Sequence, residues 1–539
     1  MRIALILLLF AVPLSAAQAQ QPPRPIRHVV MIGVDGMSPN GIRTANTPNL
    51  DRLMREGAWT FRARAVTPSV SSPNWASLIM GADVEQHGIH SNGYERNDFI
   101  LPPVVRGSED IFPTIFGEIH AQIPQAEIGA IYDWDGFGRL FEQSAVDYNV
   151  SADGEAETAL KAAEYIRTAR PAFCFVHLDH VDHAGHAHGH GSPKYYRSVE
   201  RADSLIGQIL TAIQEAGIAG ETLVLVCADH GGKGHGHGGL SVAEMEVPLI
   251  LHGPGIRPNY EIPIPVFQYD HAATIAFALG IEAPYAWIGR PTRCAFEGFD
   301  PPARSYPLAS LLEAPVFQHA EQGYRPAGGL FRGDTVVQIS HPEAGELRYT
   351  LDGSRPSAAS PLYKKPLPLS RSTVVKCALF RGGKQISETA VAYYRFLAPG
   401  QAPAVRYRAY LLENASRLPD FSRLSPAAAG SCNEISSEGL QLPREEQVAV
   451  VFETQFEAAA AGEYAFFTRS DDGSKLYVQG KPVVDNDGDH GVAEVKGTMR
   501  LEAGLHLLRV EWFNGGGGGW LDVYVQGPDG IRQVLQGKP

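Results

Sequence analysis

Four short runs in the first half of the chain are almost wholly apolar: His28–Val34 (HVVMIGV), Phe173–Leu178 (FCFVHL), Thr222–Cys227 (TLVLVC) and residues 247–251 (VPLIL). A strand with one wet face alternates polar and apolar residues, whereas a run without alternation is covered on both sides. Strands of that kind belong to a largely parallel sheet, whose long crossovers pack helices on both faces. Helices with legible starts lie between the runs. Thr47-Pro48 opens residues 49–57, Ser192-Pro193 opens an amphipathic stretch ending at Glu215, and Asp270 opens HAATIAFALG, which Gly280 stops. Proline suits the first helical position and glycine the position past the last. The expected fold class is α/β, a mostly parallel sheet sandwiched by helices, over residues 27–300.

Beyond that point the pattern changes. Residues 301–325 are rich in Pro and Ala without periodicity and read as a linker. Residues 326–397 alternate and carry turn signals, with segments 335–339, 347–351 (ending in Asp352-Gly353) and 373–380, so a small β-sandwich module is expected. LAPGQAPA (residues 397–404) is a second linker, and residues 405–535 again read as all-β between Gly/Asp-rich turns. The α/β domain is therefore followed by two all-β modules, and a chain of 539 residues has room for all three.

Charge and histidine are skewed toward the α/β part. Residues 21–310 hold 21 basic and 33 acidic residues, a net −12 out of −13 for the chain, and 15 of its 19 histidines. An acidic chain without basic patches is poorly suited to nucleic-acid duplexes. Acid clustered with imidazole points to metal ligands instead. Residues 1–20, MRIALILLLFAVPLSAAQAQ, have an early Arg2, an apolar run and the small-residue ending Ala17-Gln18-Ala19. This reads as a signal peptide (residues 1–19) cleaved after Ala19, with the product exported to the periplasm or the extracellular space. No later stretch reaches the roughly 20 apolar residues of a membrane span. The five cysteines are far apart without a CxxC pair, and a disulfide scaffold is not supported.

Acid, imidazole and hydroxyl groups recur where predicted strands end or helices begin. Asp35 closes the first run in GVDGM; Asp182 and His186 follow the second in HLDHVDHAGHAHGHG; Asp229 and His230 follow the third in CADHGG, with His237 next in GHGG. Ligands of open α/β sheets gather outside the carboxyl ends of the strands. Three carboxylates and three imidazoles there suit Zn²⁺, and enough ligands are present for two ions. His177, His180, His183, His188 and His190 in the same run read as solvated loop residues or outer partners of the ligands. Ser71 stands at a predicted helix start, Ser71-Ser72-Pro73-Asn74, where free N–H groups and the helix dipole favour a phosphate. A metal-activated serine is a nucleophile at neutral pH without an adjacent base.

Read in order, VDGM, TPNLDRL, SSPNWASLIMG, HGIHSN, D-x-x-GH, DHGG and GHGG resemble the alkaline phosphatase superfamily, and within it the type I phosphodiesterase/nucleotide pyrophosphatase group, over residues 27–295. The resemblance implies an exported two-zinc phosphoesterase that cleaves phosphodiester or pyrophosphate bonds. It implies one zinc held by Asp35, Ser71, Asp229 and His230, and the other by Asp182, His186 and His237, with His235 the rival for the last position. It implies catalytic roles for Ser71 as nucleophile and for Asn74 in holding a non-bridging phosphoryl oxygen, with Asn92 also binding substrate. Serine replaces the group's usual threonine. The sulfatase branch needs C/S-x-P-x-R; the register here is Ser71-Ser72-Pro73-Asn74-Trp75, without the arginine.

Residues 326–397 resemble the C-terminal β module of chitobiase and hexosaminidase-type enzymes, chiefly through RYTLDGSRPS. Residues 405–535 resemble a PA14 domain, through GEYAFFTRSDDGSKLYVQGKPVVDNDG and LEAGLHLLRVEWFNGGGG. Together they imply a glycan or cell-surface polysaccharide as partner. Asp471-Asp472 and residues 485–489 are candidate Ca²⁺ ligands, against the plainer reading that Asp-Asp-Gly and Asn-Asp-Gly form hairpin turns. The alternatives to the phosphodiesterase reading are a phosphomonoesterase or sulfatase of the same superfamily, and a non-catalytic carbohydrate- or matrix-binding surface protein.

Overall fold

The computed structural model describes residue 22 and residues 25–96, 100–304, 306, 308–309, 311–320, 325–398 and 400–538; the signal-peptide segment lies outside them. The chain divides into two compact units, Met1–Ser310 and Leu311–Pro539.

The first unit is built on one nine-stranded sheet. Its main strands are β1 (His28–Val34), β2 (Ala58–Arg64), β3 (Ile128–Tyr132), β4 (Tyr148–Ser151), β5 (Phe173–Leu178), β6 (Thr222–Cys227) and β7 (Glu246–His252). They lie in the order β4-β3-β5-β1-β6-β7-β2, with Tyr260–Glu261 and Val266–Phe267 pairing on β2 at the edge. The five strands from β4 to β6 are parallel, Val30 facing Cys174 on one side and Val224 on the other. β1, β5 and β6 are buried along nearly their whole length, as their unbroken apolar runs require. The helices begin where the prolines put them, at Pro48–Glu56 and Pro193–Glu215, and Asp270–Leu279 ends at Gly280 with φ +71°.

The run at residues 247–251 differs from its neighbours: β7 runs antiparallel to β6 and to β2. The chain between β6 and β7 carries no crossover helix, only the four-residue turn of helix Val242–Met245. Without a crossover the chain cannot return to the sheet's other end, so the next strand must run back. Residues 228–245 therefore stay at the carboxyl edge of the parallel strands. β2 is antiparallel to β7 and so parallel to β1, which brings the segment after β2 to the same edge.

The second unit is all-β. In residues 326–397, Thr373–Arg381 pairs antiparallel with Glu346–Thr350 and Ala390–Phe396, and Gly328–Phe331 joins Ala390–Phe396 in parallel. Val337, Val375, Cys377, Ala392 and Tyr394 fill this small core. Beyond it a six-stranded and a four-stranded sheet enclose Val450, Phe452, Phe466, Val510, Trp512 and Leu521. Within the unit the two β modules touch: Tyr393 lies 5.7 Å from Tyr524, ring to ring, and Arg395 pairs with Glu434. All five cysteines are free thiols.

Candidate active site

Asp35 directly follows β1, Asp133 follows β3, Asp179 follows β5 and Asp229 lies two residues after β6. Four neighbouring strands thus deliver an acid each to one sheet edge. The Ser71–Met80 helix, reached from β2, adds Ser71 in its first turn. Every residue of that helix is buried, and its end is set by Gly81 in the left-handed region (φ +59°). Close packing of the helix on β1 depends on Gly33: a Cβ there would lie 2.4 Å from the Trp75 ring.

Two clusters form at the edge. In the first, His230 Nε2 lies 3.2 Å from Asp229 Oδ2, 3.4 Å from Asp35 Oδ1 and 3.3 Å from Ser71 Oγ. In the second, His186 Nε2 lies 3.1 Å from Asp182 Oδ2 and 3.1 Å from His237 Nε2, which is itself 3.7 Å from Asp182 Oδ2. Asp35, Asp229 and His230, and likewise Asp182, His186 and His237, bring one ligand atom per residue within 4.8 Å of one another. The rings of His230 and His237 stack at 3.7 Å and link the two clusters. Asp182 and His186 are one helical turn apart on His180–His188, which puts both on one face.

The donor set fits a pair of cations. Each of the three imidazoles turns Nδ1 to a backbone carbonyl: His230 to Gly231 (2.9 Å), His186 to His235 (2.8 Å) and His237 to Ser69 (3.0 Å). Donation from Nδ1–H leaves a lone pair on every Nε2, aimed into the clusters. Two such lone pairs 3.1 Å apart, on His186 and His237, repel unless a proton or a metal ion lies between them. The carboxylate oxygens Asp35 Oδ1, Asp182 Oδ1 and Asp229 Oδ2 are buried without a hydrogen bond. Burial, with the neighbouring Asp35 charge, pushes Asp229 well above the usual carboxylate range, and a positive ion among these oxygens would remove that cost.

The structure brings Asp35, Ser71, Asp182, His186, Asp229, His230 and His237 together. His237, and not His235, supplies the imidazole of the second cluster; His235 turns its Nδ1 to the carbonyl of His186. Asn74 has another task. Its Oδ1 accepts from the Val66 N–H (2.8 Å), and its Nδ2 donates to Pro68 O (3.0 Å) and Val70 O (2.9 Å), so its amide holds the loop ahead of Ser71 and has nothing left for a substrate oxygen. Asn92 is the asparagine at the helix start: its Oδ1 accepts from the Ser72 N–H at 2.8 Å.

Gly36 and Trp75 escaped the sequence reading, and the places of His177 and His190 were left open by it. Gly36 takes φ +66°, donates its N–H to Asp229 Oδ1 (3.1 Å) and packs so closely that a Cβ would lie 2.7 Å from the Asp182 side chain. Trp75 donates its indole N–H to Asp35 Oδ2 (3.0 Å). Of the two roles open to His177, solvated loop residue or outer partner of the ligands, its place agrees with the second: it is wholly buried between Asp35 Oδ2 (3.2 Å) and Asp133 Oδ1 (3.3 Å). Burial alone would lower its pKa; hydrogen bonds to Asp133 and Asp35 more than offset that and raise it to about 10. His190 is also enclosed, its ring filling the space that glycine leaves at Gly185 and Gly232. Nothing in the sequence says which residue beside a strand end or in a helix turn faces a neighbour's carboxylate, so the contacts of Gly36 and Trp75 were not visible beforehand.

In the β modules, a cis peptide joins Asp471 and Asp472. The Asp472 carboxylate accepts from His490 N–H (3.0 Å) and Gly515 N–H (2.8 Å). Among the described residues, no three acid, histidine or cysteine groups converge there. Nor is the pair a hairpin turn: it links Gly462–Asp471, which pairs in the four-stranded sheet, to Ser474–Val478, which pairs in the six-stranded one.

Residues 29–235 match the sequence model of the type I phosphodiesterase/nucleotide pyrophosphatase family, residues 326–391 that of the chitobiase/β-hexosaminidase C-terminal domain, and residues 433–537 that of the PA14 domain. Ectonucleotide pyrophosphatase/phosphodiesterase family member 1 of Rattus norvegicus is 22% identical over 281 residues, which are 48% of this chain and 30% of that protein. The catalytic subunit of GPI ethanolamine phosphate transferase 2 of Homo sapiens is 27% identical over 288 residues, 50% of this chain and 28% of that protein. The chain thus spans under a third of the length of these relatives. Among solved structures, inactive murine ectonucleotide pyrophosphatase/phosphodiesterase 5 in complex with AMP is similar at 16% identity and a TM-score of 0.41, covering 48% of this chain and 96% of that one.

Proposed function

We propose, for a chain whose N-terminal unit carries a phosphodiesterase/nucleotide pyrophosphatase domain of the alkaline phosphatase superfamily, an exported zinc-dependent phosphoesterase that cleaves phosphodiester or pyrophosphate bonds through Ser71. The observation that carries this reading is the convergence of two acid–imidazole clusters beside a serine at a helix N-terminus. Asp35, Asp229, His230 and Ser71 would hold one zinc, and Asp182, His186 and His237 the other. Bound there, the ions would supply Lewis acidity for the serine hydroxyl, the phosphoryl oxygens and the leaving oxygen.

The chain's own groups then divide the work. Ser71 Oγ gives up its proton to solvent and attacks phosphorus in line; the Oγ–P bond forms as the bond to the leaving oxygen breaks, and a leaving alkoxide takes a proton from solvent to depart as the alcohol. Water cleaves the phosphoseryl ester from the opposite side, returns a proton to Oγ and releases the phosphoryl group. In the first turn of the Ser71–Met80 helix the Ser72 N–H goes to Asn92 Oδ1, Pro73 has none and the Asn74 N–H goes to Val70 O, so the helix offers the anionic phosphorus centre its dipole rather than a set of free N–H groups. The NH₂ of Asn92, which makes no described hydrogen bond, is the donor proposed for a non-bridging oxygen in place of Asn74. No arginine of the motifs grips a second phosphate charge, which favours diesters over monoesters. The β modules, matched to chitobiase-type and PA14 domains, support a glycan partner, and residues 1–20 support export.

Ser71→Ala tests this directly on a panel of p-nitrophenyl mono- and diesters and sulfates. Turnover should fall at least 10³-fold while zinc content is unchanged, and chelation should abolish the wild-type activity until Zn²⁺ is restored. Undiminished turnover in the variant would overturn the serine assignment. Activity confined to sulfates would favour the sulfatase branch, and no activity at all the non-catalytic, glycan-binding alternative.

A further inference from the structure

Asp35 meets the first cluster with one oxygen only. Oδ1 faces His230 and has no hydrogen bond. Oδ2 is turned away to two N–H donors, Trp75 Nε1 at 3.0 Å and His177 Nε2 at 3.2 Å. His177 is held in turn by Asp133 Oδ1 at 3.3 Å, and the same oxygen accepts the Asp179 N–H at 2.9 Å. The three side chains Asp35, His177 and Asp133 are at most 3% exposed. Trp75 lies edge-on to the imidazole at 4.9 Å and Phe137 stacks on it at 6.1 Å, so the ring cannot rotate out of line.

We infer that His177, oriented by Asp133, is a positioning residue that reserves Asp35 Oδ2 for hydrogen bonding and restricts Asp35 to single-oxygen coordination of a metal ion through Oδ1. The inference rests on the zinc-site reading above. Asp35, His177 and Asp179 also lie close enough to hold a cation themselves. That arrangement is disfavoured because Asp35 Oδ2 already receives two N–H donors, whereas a metal ligand must present a lone pair. Partners of this kind orient a ligand carboxylate, and their loss commonly costs 10–100-fold in metal affinity.

The test is zinc binding to the full-length protein, measured by competition with a chelator, together with the visible spectrum of the Co²⁺-substituted form. His177→Phe keeps a ring but loses the donor; His177→Gln keeps a donor near Nε2; His177→Asn is a polar variant too short to reach. The expected result is two zinc ions in the wild type. His177→Phe and His177→Asn should weaken one of them about 10–100-fold, leave the other unchanged and alter the cobalt spectrum, while His177→Gln stays close to wild type. Should His177→Phe fail to fold, the Asn and Gln pair decides alone. Wild-type affinity in both Phe and Asn variants would overturn the inference. So would three ions in the wild type and two in these variants, which would make His177 a ligand. A wild type that binds no zinc would overturn the zinc-site reading itself, an outcome distinct from either.

Discussion

Gly36 sits where three acidic side chains meet, at φ +66° and with no room for a methyl group against Asp182. Gly36→Ala should therefore scatter Asp35, Asp182 and Asp229 and abolish zinc binding. Gly217→Ala is the control: it shares the backbone conformation (φ +72°) but faces open space, so only the left-handed strain of about 1–2 kcal/mol remains. Metal content and thermal unfolding of both variants separate the two causes. The asparagines make a second pair. Removing the three Asn74 hydrogen bonds should destabilise the first unit by about 1–3 kcal/mol. Asn92→Ala, which strips the buried Ser72 N–H of its acceptor, should cost about 0.5–2 kcal/mol of stability but, unlike the Asn74 change, also lower kcat/KM by roughly 10²–10³-fold, the usual cost of one lost oxyanion donor. Denaturant unfolding and diester kinetics on the same samples check both. At this scale the acids and imidazoles of the two clusters were legible through their company: a lone acid after a strand is commonly a cap or turn former, but here acids and imidazoles recur at the ends of several apolar runs. The two asparagines were not: an amide near a helix start serves a loop or an anion equally well, and only the fold tells which backbone lies beside it.

Among the elements, β1, β5 and β6 could be read from unbroken apolar runs, and three helices from their prolines, caps and stops. β2 (AWTFRAR) and β4 (YNVS) could not, since both lie toward the margins of the sheet, where polar residues interrupt the run. The direction of β7 was hidden too, because a run buried on both faces is the same in either orientation. The Ser71–Met80 helix carries a prediction of its own. His87, in the next helical turn, accepts the Ile89 N–H at Nδ1 (3.1 Å) and so donates from Nε2 to Ser77 Oγ (2.9 Å). It is a neutral imidazole, and burial lowers its pKa to about 3. Its contribution is complete above the unfolded value near 6.5 and is lost as pH falls toward 3, with a slope of up to about 1.4 kcal/mol per pH unit. His87→Gln should flatten that part of the stability–pH curve, as measured by urea unfolding between pH 4 and pH 7.

For the whole molecule, every group of the proposed site comes from residues 35–237, inside the first compact unit. A chain ending at residue 310 should keep two zinc ions and turn over a small soluble diester within about threefold of the full-length rate; a larger loss would mean that the second unit contributes to catalysis. Net charge is a poor guide at this scale. The −12 of residues 21–310 looks hostile to phosphate, yet Asp35, Asp182 and Asp229 are three of those charges, and two Zn²⁺ would more than neutralise them locally.

The spacing of the site along the chain has a consequence for how the protein matures. Asp35 reaches Asp229 and His230 only after β1 has paired with β6, across nearly two hundred residues. Only short fragments of either cluster, such as Asp182 with His186, exist before that pairing. An unfolded chain therefore presents neither proposed set complete, and an ion held by the local histidines of residues 177–190 would not by itself bring Asp35 and Asp229 together. Loading would be a late event, following the closure of the central sheet, with the ion locking in a scaffold already assembled rather than recruiting its pieces.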